Sequence, residues 1–239
     1  MTMGSLLEFA RGPLFRFSFT VMVLGLARIL FIDIWGAYKA YSKAGDKKMP
    51  WQLIRSRGFE WVFPMKRIIR NPHIYSVFSI FFHIGLIIVP IFLFAHINLW
   101  KQSVGVSWPA LPYHSAMWLT VATIFFAAMM LFWRAFVKSI SSLSRGQDYL
   151  WLLLLLVPFI TGFVCANLSI GAGTYRFVML VHTFSADLIF LLMPFSKIAH
   201  CVLAPLSQVV GALAWKFPPE TDHDISLVLN KSRNIEVKG

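Results

Sequence analysis

Five stretches, about Leu14 to Tyr41, Ile74 to Trp100, Ser115 to Val137, Leu150 to Leu168 and Phe177 to Leu203, are long and apolar enough to cross a hydrocarbon core. A membrane-spanning helix needs roughly 20 such residues. Lipid offers backbone groups no hydrogen bonds, so stretches of this length are expected to be helical. The rest of the composition agrees, with 58% hydrophobic and 13% charged residues among 239 and a mean hydropathy of +0.69. A soluble domain could not wet such a surface. The expected fold is an all-α integral membrane protein, a five-transmembrane-helix bundle. One membrane domain with interfacial segments is expected over residues 1–215, and a polar cytoplasmic tail over 216–239.

The formal net charge of +12 would suggest nucleic acid in a soluble protein, but here the basic residues are sorted by side. Lys43, Lys47, Lys48, Arg55, Arg57, Lys66, Arg67 and Arg70 lie between the first two spans. Lys138 and Arg145 follow the third span, and Lys216, Lys231, Arg233 and Lys238 lie in the tail. The other side carries Arg11, Arg16, Lys101 and Arg176. The positive-inside rule therefore puts the N-terminus outside and the tail in the cytoplasm, as expected for a multi-pass protein of a bacterial cytoplasmic membrane. No nucleic-acid partner is needed.

The first apolar run is too long for a cleaved signal core and is read as a retained helix. Trp51, Phe59, Trp61 and Phe63, set among the charges of the basic loop, predict an amphipathic segment at the lipid interface or a docking face for a partner. Val202 to Trp215 predicts a second interfacial helix, stopped by Pro218 and Pro219. Cys165 and Cys201 sit in separate apolar segments with no metal-ligand spacing and are read as packing residues.

Ionisable side chains inside a membrane are costly, and four histidines there share a pattern. His73 and His83 lie on the second span, His182 and His200 on the fifth. Those spans run in opposite directions, so His83 and His182 fall toward the outer face and His73 and His200 toward the inner one. A separation of 18 residues is about five turns and returns His200 to the face of His182, and one of 10 leaves His73 and His83 roughly 80° apart. The geometry permits two bis-histidine haems between helices 2 and 5. Paired neutral imidazoles in an apolar bundle suit a six-coordinate iron that carries electrons. Covalent c-type attachment is excluded because no C-x-x-C-H occurs. His83 and His96, 13 residues apart, would point about 140° apart on one helix. His96 is read instead as interfacial or as part of a quinone pocket, and His114, beside Pro112 and Tyr113, as a quinone or proton contact.

From His182 the sequence runs HTFSADLIFLLMPFSKIAH to His200, with Pro194, Phe195, Ser196 and Lys197 ahead of the second histidine. This resembles the gamma subunit of respiratory nitrate reductase, a dihaem cytochrome b with two histidines at this separation on its last helix. The likeness extends to the paired histidines of the second span and to the five-helix layout, and so covers nearly the whole chain. Glu8-Phe-Ala-Arg-Gly-Pro13 and Trp108-Pro-Ala-Leu-Pro112 look more like relatives that serve multihaem-cytochrome or heterodisulfide-reductase-like complexes. The resemblance implies two haem b, the outer held by His83 and His182 and the inner by His73 and His200. It implies a quinone substrate, menaquinone or ubiquinone, oxidised near the outer haem. The implied partners are an iron-sulfur subunit, a multihaem cytochrome c subunit, or both. A lysine near the outer end of a span helps bind quinol in those relatives, and Lys101 is the counterpart by location.

Other intramembrane charges need partners. Arg28 is expected to meet a haem propionate or Asp187, and Asp33 to reach the inner face or relay protons. Arg176, six residues before His182, is expected either to meet propionates or to anchor its helix end. Gly85 is read as a packing position. There is no phosphate-binding Gly-rich loop, no H-E-x-x-H and no nucleophile motif, so self-contained hydrolytic or group-transfer chemistry is not expected. The alternatives are a small proton-coupled transporter or channel, which predicts inverted repeats or broken helices, and a haem-free membrane anchor.

Overall fold

A computed structural model describes residues 2–43, 49, 51–62 and 74–213, and the described residues are helical with no strand. The helices are α1 (Met3–Phe9), α2 (Phe15–Lys43), α3 (Trp51–Val62), α4 (Ile74–Phe92), α5 (Phe94–Val104), α6 (Tyr113–Phe136), α7 (Lys138–Ser141), α8 (Gly146–Asn167), α9 (Ala172–Leu192) and α10 (His200–Leu213). A π-helical turn, Ala10–Leu14, joins α1 to α2. Five helical segments, Met3–Lys43, Ile74–Phe92, Tyr113–Phe136, Gly146–Asn167 and Ala172–Phe195, are long and apolar enough to cross a membrane, as in a multi-pass membrane protein. Their outward faces carry large apolar side chains such as Leu24, Phe31, Ile87, Phe125 and Leu153, the surface that lipid requires.

The described residues fall into two compact units. One takes in the described residues from 2 to 22 and from 74 to 192. Here α4 packs on α6, α6 on α8 and α8 on α9, while α1 and the π-helical turn lie against α9. Phe82, Ala127, Met130, Leu152 and Leu156 form the core of the first three. The backbones of α4 and α6 come close at Gly85, where any Cβ would run into the Thr123 side chain. Thr123 is 1% exposed and donates to the Leu119 carbonyl at 2.6 Å. Gly85 thus takes the packing role. At the start of α8, Asp148 accepts from the Arg145 amide (2.9 Å) and faces Arg134 of α6 at 3.8 Å. The Arg134 guanidinium also lies over the Tyr75 ring, 5.5 Å from its centroid, tying the ends of three helices together.

The second unit takes in the described residues from 23 to 62 and from 193 to 213. In it α3 packs on α10, and Trp51 and Phe59 stand exposed on α3, as an interfacial segment would present them. Gly25 of α2 lies against Pro194, where a Cβ would come within 2.5 Å of the proline ring. The tail over 216–239 lies outside the described residues.

Two expected helices are interrupted. The second span does not continue to Trp100. Pro90 sits inside α4, and Leu93 takes an extended conformation (φ −73°, ψ 128°) before α5 begins. Three successive carbonyls at the end of α4 are then taken by groups from further along the chain. Pro90 O meets His96 Nδ1 (3.1 Å), Ile91 O accepts from Trp108 Nε1 (2.9 Å), and Phe92 O accepts from the Leu111 amide (2.9 Å). The fifth span likewise ends as an α-helix at Leu192 and passes through two 3-10 turns, Met193–Phe195 and Lys197–Ala199, before α10. Proline has no N–H to continue the ladder at position 194.

Candidate functional site

α9 carries His182 three turns from its start, and the ring turns toward α8. Pro158 lies four residues before Gly162 on α8, and both shape the space the imidazole occupies. His182 Nδ1 meets the Pro158 carbonyl at 2.9 Å, and Thr161 Oγ1 lies 3.3 Å from the same ring nitrogen and 3.4 Å from that carbonyl. Glycine at 162 admits the ring, since a Cβ there would lie 2.9 Å from His182 Cε1. With Nδ1 engaged by a carbonyl, the neutral tautomer bears its hydrogen on Nδ1 and its lone pair on Nε2.

His83 on α4 is set in the same way, with Nδ1 2.6 Å from the Ser79 carbonyl. On α10, His200 Nδ1 lies 2.7 Å from the Lys197 carbonyl, and this residue is exposed. His73, expected to pair with His200, lies outside the described residues. The five-turn arithmetic linking His182 to His200 assumed one continuous helix, and it does not carry across the 3-10 turns at residues 193–199.

His96 is where the structure departs furthest from the helical-wheel expectation. The break at Leu93 re-aims α5, so the 140° separation from His83 no longer applies. The His96 ring instead comes beside His182, with centroids 6.0 Å apart and planes 19° from parallel. Its Nδ1 is also engaged by a backbone carbonyl, that of Pro90. Two imidazoles on separate helices, both anchored through Nδ1, therefore share one place in the molecule.

Arg11 was counted from the sequence among the outer basic residues and within the Glu8-Phe-Ala-Arg-Gly-Pro13 segment. The π-helical turn that contains it packs on α9, the helix that carries His182. Arg11, Glu8 and Arg176 line one cavity of about 550 Å³ with the first residues of α1.

The remaining candidates are more dispersed. Lys101 on α5 and His114 on α6 are exposed, the latter packed edge-on against Tyr113 (5.4 Å). Arg28 is exposed on α2. Asp187 is 5% exposed on α9, and its hydrogen-bond partner is Ser18 of α2, with Oγ 3.2 Å from Oδ1. Close by, Phe15, Phe19, Trp100 and Phe190 form an aromatic cluster with centroids 4.6 to 6.3 Å apart.

A protein of Nitratidesulfovibrio vulgaris is 31% identical to this chain over 214 residues, a match that covers 84% of this chain and 89% of the relative. No family model matches the chain, and no solved structure matches it. At that identity over most of both lengths, the chain belongs to the same family as the Nitratidesulfovibrio vulgaris protein.

Proposed function

We propose that this chain is a membrane-embedded dihaem cytochrome b subunit of a respiratory oxidoreductase complex, similar to the nitrate reductase gamma subunit. It exchanges electrons between the quinone pool and partner iron-sulfur or multihaem cytochrome subunits. The observation that supports this best is the setting of His182. Its Nδ1 faces the Pro158 carbonyl, and glycine at 162 leaves its ring room. Histidines that ligate iron are oriented in this way, the Nδ1 hydrogen bond fixing the tautomer and aiming Nε2 at the metal.

The Nδ1-anchored imidazoles of His83 and His182 support a bis-histidine haem. His83 and His182 are assigned to the outer one, His73 and His200 to the inner one. Haem b, when bound, supplies a one-electron carrier with no open coordination position. The chain's own residues supply the setting. Backbone carbonyls orient the imidazoles, the apolar spans exclude water, and Arg11 and Arg176 put positive charge where acidic propionates would be met. His96, Lys101 and His114 are assigned to the quinone side of the outer end, with Arg28 and Asp187 as further polar contacts. The reading places the protein in the bacterial cytoplasmic membrane with its N-terminus outside, on the sorting of basic residues.

Reduced-minus-oxidised absorbance of the purified chain tests this. The expected result is a b-type spectrum with two haems per chain by pyridine haemochrome. His83→Ala and His182→Ala should each remove the same haem, whereas His96→Ala should retain both. A colourless preparation overturns the reading. Loss of a haem in His96→Ala but not in His83→Ala overturns the assignment of the outer pair.

A further inference from the structure

Asp187 and Ser18 are 5% and 0% exposed, 169 residues apart in sequence, and meet inside two membrane-spanning helices. Ser18 Oγ lies 3.2 Å from Asp187 Oδ1 and 3.1 Å from the Phe15 carbonyl. Asp187 Oδ2 is buried and has no hydrogen-bond partner among the described residues.

A hydroxyl has one hydrogen to give. If Asp187 were ionised, that hydrogen would be drawn to Oδ1, the Phe15 carbonyl would lose it, and Oδ2 would hold negative charge with no donor. Neighbouring charges do not offset this. Glu8 and Arg11 lie on the segments packed against α9, Arg16 on α2, Lys101 on α5, Asp148 on α8, and Arg176 and His182 on α9 itself. Among the described residues no ion pair reaches Asp187. An unpaired carboxylate in such a place is very costly, whereas a neutral acid whose carbonyl oxygen lacks a donor is much less so. With the proton on Oδ1, one chain uses every hydrogen: Asp187 Oδ1–H donates to Ser18 Oγ, and Ser18 Oγ–H donates to the Phe15 carbonyl.

We propose that Asp187 is a proton-binding site within the membrane, resting as the neutral acid that donates to Ser18. Release of the proton turns the Ser18 hydroxyl from the Phe15 carbonyl to Asp187, so the pair has two hydrogen-bonded states that differ by one proton. The site requires neither haem nor quinone.

Infrared spectroscopy of the full chain in lipid nanodiscs tests this. At neutral pH the wild type should show the carbonyl stretch of a buried protonated carboxylic acid, lowered in frequency in deuterium oxide and absent from Asp187→Asn. Ser18→Ala should keep the band but raise its frequency, because the acid loses its acceptor. Ser18→Ala also serves if Asp187→Asn does not fold. Identical wild-type and Asp187→Asn spectra in this region, or a band that Ser18→Ala leaves in place, would overturn the proposal. A haem-free chain that shows the band sinks the cytochrome reading alone, and a dihaem chain without it sinks only the proton site.

Discussion

The His182 ring and Gly162 are in such close contact that a Cβ at position 162 would stand 2.9 Å from His182 Cε1 and 3.2 Å from Nδ1. Glycine inside a helix costs roughly 0.5–1 kcal/mol relative to alanine, and here it leaves the space that the ring fills. The added methyl of Gly162→Ala must push the imidazole off the Pro158 carbonyl. On the cytochrome reading this weakens haem binding at that site by about 10–100-fold, the usual effect of disturbing what orients a ligand. Haem titration of the variant checks it. Full retention of both haems with an unchanged spectrum would show that the contact has no bearing on ligation.

Arg11 lies on the π-helical turn, which packs on α9, the helix that carries His182. A cation near a redox centre favours the reduced form, because reduction adds negative charge. Arg11→Gln should therefore lower the midpoint potential of the haem ligated by His182 and leave the other unmoved. Arg11 is exposed, so the shift should be on the order of tens of millivolts and shrink as salt is added. Redox titration at low and high ionic strength is the measurement. An upward shift, or equal shifts at both haems, would contradict this placement.

Gly85 of α4 lies against the Thr123 side chain of α6. Gly85→Ala should separate those helices and destabilise the fold by about 1–3 kcal/mol, as overpacking in a filled core does. Thermal unfolding in detergent would register this as a lower midpoint. An unchanged midpoint would mean that the two helices part there without cost.

The spans were legible because length and hydropathy alone define them. The third was expected at about Ser115 to Val137 and is found at Tyr113–Phe136. The interruptions were not legible, although Pro90 and Pro194 were in plain view. Membrane helices tolerate proline, and what stabilises the break at Leu93 is tertiary. Donors from His96, Trp108 and Leu111 reach back to the end of α4, and no periodicity displays that. The wheel arithmetic that separated His83 from His96 failed for this reason. Cost arguments did show that Asp187 needed company, but only the fold could name Ser18, 169 residues away. His182 was singled out from the sequence, while the Pro158 carbonyl and Gly162 that set its ring gave no signal without coordinates.

The break between α4 and α5 behaves as a fixed elbow. An imidazole, an indole and a main-chain amide each tie down one of three neighbouring carbonyls, so the bend is braced on successive rungs and resists straightening. The residues leading from α5 into α6 are thereby moored to the membrane helix they have just left. That end of the molecule presents a preset contour, with His96 carried on the same brace.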